Sequence, residues 1–472
     1  MILSGILRGV VDLILKGFVG DVIDKTHYDR RNFLAVAAVA IALSSLMVFF
    51  VNGSDTEDKM LVYVVRSIES VALAFLGPVF NAITLSAFGP EMFDQMQVKK
   101  ELVSHAGSFL SAILSSVVAW VYYPNIEYVF LLPTLFAVSA TYFVRYIPRG
   151  DPLMGRGFHL HTGKRGKDGC VVVDDDALYE QYDSNHSVVK EPEASSYRDV
   201  FTDKRIVAII AADVFHVIAE ANVGLIFNET LADVGTYSNG GNQNNYNNGQ
   251  RRLYNDMAVD YDEIAVTDEA IMSREAIPLL ATAGSMAQIV MIAGTVAIGY
   301  LTARGWGRKP FYVAHLCVHP VRVILLILCL YTGASKGWLV STELVGGLTG
   351  AFGIVNAFMR ADIVFGSGRF NVVDGYQATI RGVAATSSQY LGGLILENKG
   401  PMTALTVSLV LAMIPPVIGV LFVPETLGMR EKDFKEEKVE EKLLLAKSMD
   451  EIELHTRRDD DDKRYVEMSD PV

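Results

Sequence analysis

Long apolar tracts recur along the chain, and they constrain its fold more than any other feature. Each tract has roughly 18–28 mostly apolar residues, enough for an α-helix to cross a hydrocarbon layer about 30 Å thick. Since lipid offers no hydrogen-bond partners, such segments have to be helices, whose backbone groups are paired internally. Hydrophobic residues make up 51% of the chain and are clustered, which argues against a set of soluble domains. The sequence therefore predicts an all-α polytopic membrane protein.

The predicted spans fall into two groups. The first group is 2–19, 32–51, 60–88, 104–123 and 126–147, and the second is 205–228, 277–303, 310–332, 338–365, 376–397 and 402–423. We expect an N-terminal helical bundle over 1–147, a solvated linker over 148–204 and a C-terminal bundle over 205–423. The second bundle has an outer loop at 229–276, and a charged tail covers 424–472.

The distribution of Lys and Arg predicts the orientation in the membrane. The loops at 20–31, 89–103, 148–204 and 304–309 are basic and alternate onto one side, which we assign to the cytoplasm together with the tail. The sequons at Asn52 and Asn228 both fall on the outer side, which makes them candidate glycosylation sites.

A short motif rich in Gly, Arg and Lys occurs twice. "GYLTARGWGRKPFY" runs from Gly299 to Tyr312, and "GDVIDKTHYDRRNF" runs from Gly20 to Phe33. Gly20 corresponds to Gly299, and the basic pairs Arg30-Arg31 and Arg308-Lys309 correspond as well. Glycine lets neighbouring helices approach closely, while the basic side chains can bind carboxylates or helix C-termini nearby.

The two halves also match at "FNAITLSAFG" (80–89) and "VNAFMRADIV" (355–364), with Asn81 opposite Asn356. Two similar helical halves joined by a cytoplasmic linker are typical of parallel-repeat transporters.

On these motifs the chain resembles the major facilitator superfamily (MFS). The Gly299 run is similar to that superfamily's loop signature, and in the Gly20 run Asp24-Lys25 matches its Asp-Arg pair. "YVVRSIESVA" (63–72) resembles the fourth-helix motif of proton-coupled antiporters, and "PETLG" (424–428) resembles the ending of sugar porters. "GSGRFNVVDGYQAT" is similar to a Gly-Arg-Phe-Asn segment in a poorly characterised group of members.

The resemblance implies two pseudo-symmetric six-helix bundles and secondary transport. One helix precedes the helix ending at Gly299 in the second half, whereas none precedes the helix ending at Gly20 in the first. We therefore expect about eleven helices here, numbered two to twelve of the MFS plan, with the first helix missing.

Ionisable groups inside predicted spans are candidates for a transport site, because burying them in lipid is costly. Asp213, His216 and Glu220 are spaced i, i+3, i+7 and line one face of the span 205–228. A carboxylate–imidazole–carboxylate strip can carry protons at physiological pH. The alternative is a hydrated polar seam that pairs with another helix.

Other candidates lie in the remaining spans. Arg66 and Glu69 are i, i+3 neighbours, so either a local salt bridge or a role in coupling accounts for them. Arg322 needs a partner, for which Glu343 or a carboxylate of the span 205–228 is available, or it binds an anionic substrate. Asn81 and Asn356 are either helix–helix hydrogen-bonding groups or part of the pathway.

At the cytoplasmic ends we expect a gate of salt bridges that break and re-form between two states. The gate and its loop motifs comprise Gly20, Asp24, Arg30, Arg31, Gly299, Gly307, Arg308, Lys309, Asp362 and Arg369, with Arg360 and Asp374 in the same cluster.

The expected function is secondary active transport of a small organic solute by alternating access, with protons as the candidate coupling ion. The alternatives are a non-transporting membrane receptor that retains the fold, or an inactive truncated form. An enzyme is not expected, since no nucleophile–base–orienter set appears, and neither is ATP-driven pumping, since the sequence has no Walker loop. We expect a monomer in the plasma membrane or an endomembrane, with no cofactor, no metal site and no nucleic-acid partner.

Overall fold

The computed structural model of the chain describes residues 15, 18–26, 28–51, 56–123, 125–151, 154–157, 164–165, 171–172, 194–237 and 268–429. Most of the predicted span 2–19 and the sequon residue Asn52 lie outside these ranges. The contacts divide the chain into one unit from Met1 to Thr426 and another from Leu427 to Val472. Only Leu427–Met429 of the second unit is described.

The described part of the first half is helical. Residues 18–25 form its first helical stretch. The labelled helices are α1 (Arg30–Met47), α2 (Thr56–Tyr122) and α3 (Leu131–Phe143), with 3₁₀ turns at Val48–Phe50, Ile126–Phe130 and Val144–Tyr146.

The range α2 consists of two helices joined at a kink, which hold the predicted span 60–88 and all but the last residue of the predicted span 104–123. It changes direction at Gly89, whose φ of 72° lies in the left-handed region that favours glycine. Pro90 follows and has no N–H to donate, so the hydrogen-bond ladder is interrupted at this point. The basic loop expected at 89–103 is therefore the start of a helix rather than an irregular connection.

The expected solvated linker is partly buried at its beginning. Asp151 is buried, and so are Met154 and Gly155 in the 3₁₀ turn Met154–Arg156. Asp151 donates its N–H to the carbonyl of Ser86 at 2.9 Å and accepts the N–H of Gly155 at 3.1 Å, so this segment packs against α2. The rest of the described linker consists of a two-residue antiparallel pair and one short helix: β1 (Lys164–Arg165), β2 (Val171–Val172) and α4 (Tyr197–Thr202).

The second half has longer helices than its predicted spans. They are α5 (Lys204–Tyr237), α6 (Asp268–Ala303), α7 (Arg308–Thr332), α8 (Lys336–Val364), α9 (Phe370–Lys399), α10 (Pro401–Ala412) and α11 (Ile414–Phe422). α5 and α6 extend into the predicted outer loop 229–276, of which 238–267 lies outside the described residues.

Within the described residues, nine segments are long and apolar enough to cross a membrane. They correspond to the predicted spans except 2–19 and 376–397. The latter is helical as part of α9, which is too polar for this criterion and carries buried polar side chains such as Asn371, Asp374 and Gln377. These buried side chains face protein, and the next section shows what they contact.

One apolar core of the described residues lies in the second half, where α5, α7 and α8 pack together. Its fully buried side chains include Ile209, Tyr312, Leu316, Phe358 and Met359. A separate cluster joins residues 18–25 to α1 and α2 through Val19, Ile23, Leu34, Val79 and Ala82. Between the halves, α2 packs against α6 and α9.

Candidate functional site

The carboxylate of Asp213 on α5 is the centre of a buried polar cluster. Its side chain is 1% exposed. Oδ1 accepts a hydrogen bond from Asn356 Nδ2 on α8 at 2.8 Å, and Oδ2 accepts one from Gln377 Nε2 on α9. Arg381 Nη1, one turn further along α9, lies 3.4 Å from Oδ2. Three helices of the second half therefore meet at one negative charge.

Next to Asp213, three imidazoles pack together. The ring of His216 on α5 lies 4.4 Å from that of His315 and 5.1 Å from that of His319, both on α7. His315 Nδ1 is 2.8 Å from the carbonyl oxygen of Thr349. Within the described residues, neither ring nitrogen of His216 or His319 has a hydrogen-bond partner. His216 Nε2 lies 3.6 Å from Glu220, so the predicted strip on α5 does bring these two groups together.

A cavity of about 510 Å³ opens beside this cluster. Its lining includes the charged side chains Glu220, Arg360, Asp374 and Arg381 and the small side chains Val217, Ala221, Ala378, Gly382 and Ala385. A volume of this size is within the range of about 300–1,000 Å³ that is typical of small-molecule sites.

Arg360 and Asp374 form an ion pair on the cavity wall, from α8 to α9. Asp374 also accepts a hydrogen bond from Asn81 Nδ2 on α2 at 2.9 Å, and Asn81 Oδ1 accepts one from Lys100 at 3.1 Å. The two repeat-related asparagines thus play the same part, since Asn81 and Asn356 each donate to a buried carboxylate of the second half.

Arg322 pairs with Glu343. The sequence had offered Glu343 as one of several possible partners. Both side chains are largely buried, Arg322 on α7 and Glu343 on α8. Gly346 makes room for them: a Cβ there would lie 3.0 Å from Glu343 Oε2 and 3.1 Å from Arg322 Cζ. The pair is therefore held between two helices of the same half.

Arg66 and Glu69 pair with each other at 2.7 Å on α2. Both side chains are substantially exposed, so the structure places this pair in a local contact on one helix face. It does not join the cluster around Asp213.

At the ends predicted to be cytoplasmic, the Gly20 motif meets the start of α9. A Cβ at Gly20 would overlap the carbonyl oxygen of Asn371, so glycine permits this close approach. Asp24 accepts hydrogen bonds from Asn371 Nδ2 at 2.6 Å and from the N–H of Val372 at 3.0 Å, as an acid does at a helix N-terminus. Burial raises the pKa of Asp24 to about 7, against the hydrogen bonds from Asn371 and Val372, which lower it.

The Gly299 motif meets the first half in a similar way. A Cβ at Gly299 would lie 2.8 Å from Val98 on α2, and Arg308 binds Asp94 on α2 at 2.5 Å. Arg308 also pairs with Asp362 at 2.5 Å, and Thr426 donates to the same carboxylate at 2.7 Å. Arg308 therefore links the halves as well as two helices of the second half.

Glu425 caps the N-terminus of α7. It accepts the backbone N–H groups of Arg308 at 2.8 Å and Lys309 at 3.0 Å. A Cβ on Gly307 would lie 2.5 Å from its Oε2, so glycine leaves room for the carboxylate. The sequence drew attention to the "PETLG" segment without giving Glu425 a role.

The second basic residue of each motif contacts a carbonyl at the end of its own half. Arg31 Nη1 donates to Ile147 at 2.8 Å, and Lys309 Nζ donates to Val420 at 2.9 Å. The first basic residue, Arg30, is buried like Arg308. A Cβ on Gly155 would collide with its guanidinium, so the start of the linker packs on this side chain.

The expected gate cluster is divided among three separate contacts. Arg360 pairs with Asp374 beside the cavity, whereas Asp362 pairs with Arg308. Arg369 instead contacts the linker and residues 18–25: it donates to the carbonyl of Ser195 at 3.1 Å and to the hydroxyl of Tyr197 at 3.0 Å, and it lies 3.7 Å from Asp21. These residues are close in sequence, which suggested one network. The sequence could not show that their side chains point in different directions.

Sequence reasoning missed Arg381, Gln377 and His315. A signal was available for two of them, because Arg381 and His315 are ionisable residues inside predicted spans. No signal identified Gln377. Within the described residues, no group of His, Cys, Asp and Glu is placed to hold a metal ion. The exposed side chain of Asn228, the second sequon, lies within α5, nine residues before its end at Tyr237.

Comparisons with known proteins give a fold. No protein-family model matches the chain. Two Mycobacterium tuberculosis proteins, from strains CDC 1551 / Oshkosh and ATCC 25618 / H37Rv, are each described as an uncharacterized MFS-type transporter. Each is 22% identical over 394 residues, which is 83% of this chain and 77% of the relative.

Two solved structures are similar over nearly the whole chain. The human organic anion transporter MFSD10 has a TM-score of 0.55 at 13% identity, covering 89% of this chain and 83% of its own. The chain has the MFS fold. The proton:xylose symporter XylE, bound to 6-bromo-6-deoxy-D-glucose, likewise gives a TM-score of 0.55 at 13% identity, covering 90% of this chain and 87% of its own. The predicted fold class is therefore confirmed.

The MFS fold, together with the nine apolar helices of the described residues, makes the chain a multi-pass integral membrane protein. The proteins that it resembles are transporters, and their family is not enzymatic.

Proposed function

We propose that this protein is a secondary active transporter that moves a small organic solute by alternating access, with coupling to protons. The observation that carries the proposal is Asp213, a carboxylate 1% exposed inside a membrane helix, whose partner Arg381 lines a cavity of about 510 Å³. Ionised groups inside a membrane are costly and mark substrate and ion pathways. Here α8 and α9 both supply partners to this carboxylate of α5.

Alternating access is supported by the contacts between the two halves at their cytoplasmic ends. Asp24 holds the start of α9, and Arg308 holds Asp94. The linker adds a further contact to the second half, in which the carbonyl of Gly157 accepts the N–H of Gly366 at 2.6 Å. These contacts are polar and small, so water can replace them when the halves separate. We propose that they close the cytoplasmic side and break in the opposite state.

Proton coupling is supported by the pair His216 and Glu220. They lie 3.6 Å apart, and Glu220 is 43% exposed on the cavity wall. A proton that enters the cavity can reach Glu220 directly, because this carboxylate lines the cavity.

The solved relatives point to the same class of activity. By their names one carries organic anions, and the other carries a sugar together with protons. We carry over only the shared feature, which is movement of a small organic solute. The linker and tail are cytoplasmic in the orientation that we propose.

The test is flux in proteoliposomes that contain the purified full chain. A panel of small organic solutes is screened for uptake under an imposed pH gradient and without one. We expect at least one solute to accumulate with the gradient, and Asp213→Asn and Glu220→Gln to change the pH dependence of its flux. Glu397→Gln is the matched control, since Glu397 is an exposed carboxylate near the other end of α9.

Two results would contradict the proposal. Stable binding of a solute without any flux would favour the non-transporting receptor. Flux whose pH dependence is the same in all variants would remove the role of Asp213 and Glu220 in coupling.

A further inference from the structure

Glu220 differs from the other carboxylates at the cavity. It lies on α5 two turns after Asp213, it lines the cavity, and 43% of its side chain is exposed. Its contact with His216 at 3.6 Å is too long for a normal hydrogen bond. A ligand in the cavity would therefore meet this carboxylate directly.

The neighbouring acids all have a basic partner. Asp213 faces Arg381 at 3.4 Å, and Asp374 is paired with Arg360. Further out, Glu343 is paired with Arg322, and Glu101 lies 3.3 Å from Lys100. Among the described residues, no Lys or Arg forms an ion pair with Glu220. With the imidazoles counted as neutral, the carboxylates of Asp213, Glu220, Glu343 and Asp374 outnumber Arg322, Arg360 and Arg381 by one negative charge.

The titratable and charged groups near Glu220 lie on four helices. They are Asp213 and His216 on α5, His315, His319 and Arg322 on α7, Glu343 and Arg360 on α8, and Asp374 and Arg381 on α9. The Arg residues in this set already face carboxylates of the set. A carboxylate that faces the cavity and has no basic partner among the described residues is a group that a cationic ligand can neutralise.

We propose that the cavity binds an organic monocation at Glu220 and that the protein exchanges this cation for a proton. The inference rests on the proposed function and deepens it by giving the class of solute and the direction of coupling. A single carboxylate can be neutralised either by the proton or by the cation. Binding of the cation therefore releases the proton from Glu220, and the return of the proton releases the cation.

The rest of the wall sets limits on the solute. Ala221, Ala378, Gly382 and Ala385 leave room for an aliphatic body beside Glu220. Arg381, 44% exposed on the same wall, disfavours a second positive charge on the solute. Its free N–H groups instead suit a hydroxyl or carbonyl oxygen at the other end of the molecule.

The experiment uses choline and tetraethylammonium as probes, because a quaternary ammonium cannot cross lipid as a neutral base. Proteoliposomes with the full chain are loaded with a probe and a pH-sensitive dye, and the membrane potential is clamped with potassium and valinomycin. On dilution into probe-free buffer we expect the lumen to acidify as the cation leaves and protons enter. Glu220→Gln should lower the initial rate by about tenfold or more, which corresponds to about 1.4 kcal/mol. Glu397→Gln should stay within about twofold of the unmodified protein.

A binding measurement keeps the test valid if Glu220→Gln folds poorly. In detergent, the unmodified protein should bind tetraethylammonium with release of about one proton, and its apparent Kd should rise as the pH falls. Binding without proton release would overturn the inference.

The same vesicles separate this inference from the proposed function. If benzenesulfonate drives proton movement and neither cation does, the proposed transport function is supported and the assignment of a cationic solute is wrong. If cations move without a change in lumen pH, or if acidification persists in Glu220→Gln, the exchange at Glu220 is wrong. Absence of proton movement and flux with every probe would count against both.

Discussion

The contact between Asp213 and Arg381 gives a prediction for the stability of the second half. Asp213→Asn keeps the size of the side chain but removes the charge that Arg381 faces at 3.4 Å. In the asparagine side chain an NH2 group, which only donates, replaces one carboxylate oxygen. This NH2 group must face the side-chain amide of Asn356 or of Gln377, both of which donate to Asp213. The substitution therefore loses an ion pair and sets two donors against each other.

The magnitude follows from the burial of the two partners. Hydrogen bonds to a charged group contribute about 1.5–3 kcal/mol each. Breaking a buried pair costs about 3–5 kcal/mol, but Arg381 is 44% exposed and water can solvate it, so the loss is smaller. We expect Asp213→Asn to lower the free energy of unfolding by about 3 kcal/mol and Arg381→Gln by about 2 kcal/mol. In the double variant the two losses should overlap by about 1–2 kcal/mol, since both remove the same pair.

The measurement is the free energy of unfolding in mixed detergent micelles for the four proteins of this cycle. Asp213→Asn combined with Arg66→Gln is the control, because Arg66 pairs with Glu69 and shares no partner with Asp213. That control pair should be additive. If the Asp213 and Arg381 losses add to within about 0.5 kcal/mol, the contact is not an energetic pair and the reasoning is refuted.

Three further predictions concern other contacts. Because burial raises the pKa of Asp24 to about 7, the folded state holds a proton there that the unfolded state has lost. Stability should therefore fall as pH rises from about 4 to 7. At about 1.36 kcal/mol per pKa unit, the free energy of unfolding should fall by at most about 4 kcal/mol. Asp24→Asn should abolish this pH dependence. Equal pH profiles of unfolding for the two proteins would contradict the prediction. Gly392→Ala should cost about 1–3 kcal/mol, since its Cβ would overlap the Asn222 amide that donates to Ser408 at 2.5 Å. Gly393→Ala, whose Cβ would come no closer than 3.9 Å to Leu225, should be neutral or stabilising, and similar thermal midpoints for the two alanine variants would argue against the packing explanation. Glu425→Gln should lower the free energy of unfolding by about 1 kcal/mol, because it removes the charge that caps the N-terminus of α7. An unchanged free energy of unfolding in detergent would show that water caps α7 equally well.

Local chemistry determined the helices. A tract of apolar residues in lipid has to pair its own backbone groups, so its length alone predicts a span. Local sequence also determined the strip on α5. The spacing of Asp213, His216 and Glu220 places them on one face of the helix, regardless of which elements pack against that face. The pair Gly89 and Pro90 lies where α2 changes direction. A Gly-Pro pair is a local signal for a break in a helix, although it was not used to predict the spans.

Only the tertiary structure decided which charges pair. Arg322 had several possible acids in the sequence, and packing of α7 on α8 selected Glu343. Asp213 and Gln377 are 164 residues apart, so no sequence spacing could predict that α9 brings Gln377 and Arg381 to the same carboxylate. The beginning of the linker reads as solvated from its polar composition, yet Asp151 and Gly155 are buried because small residues let it pack closely on α2. Side-chain pairing depends on how helices rotate against one another, and that rotation is set by contacts across the whole bundle.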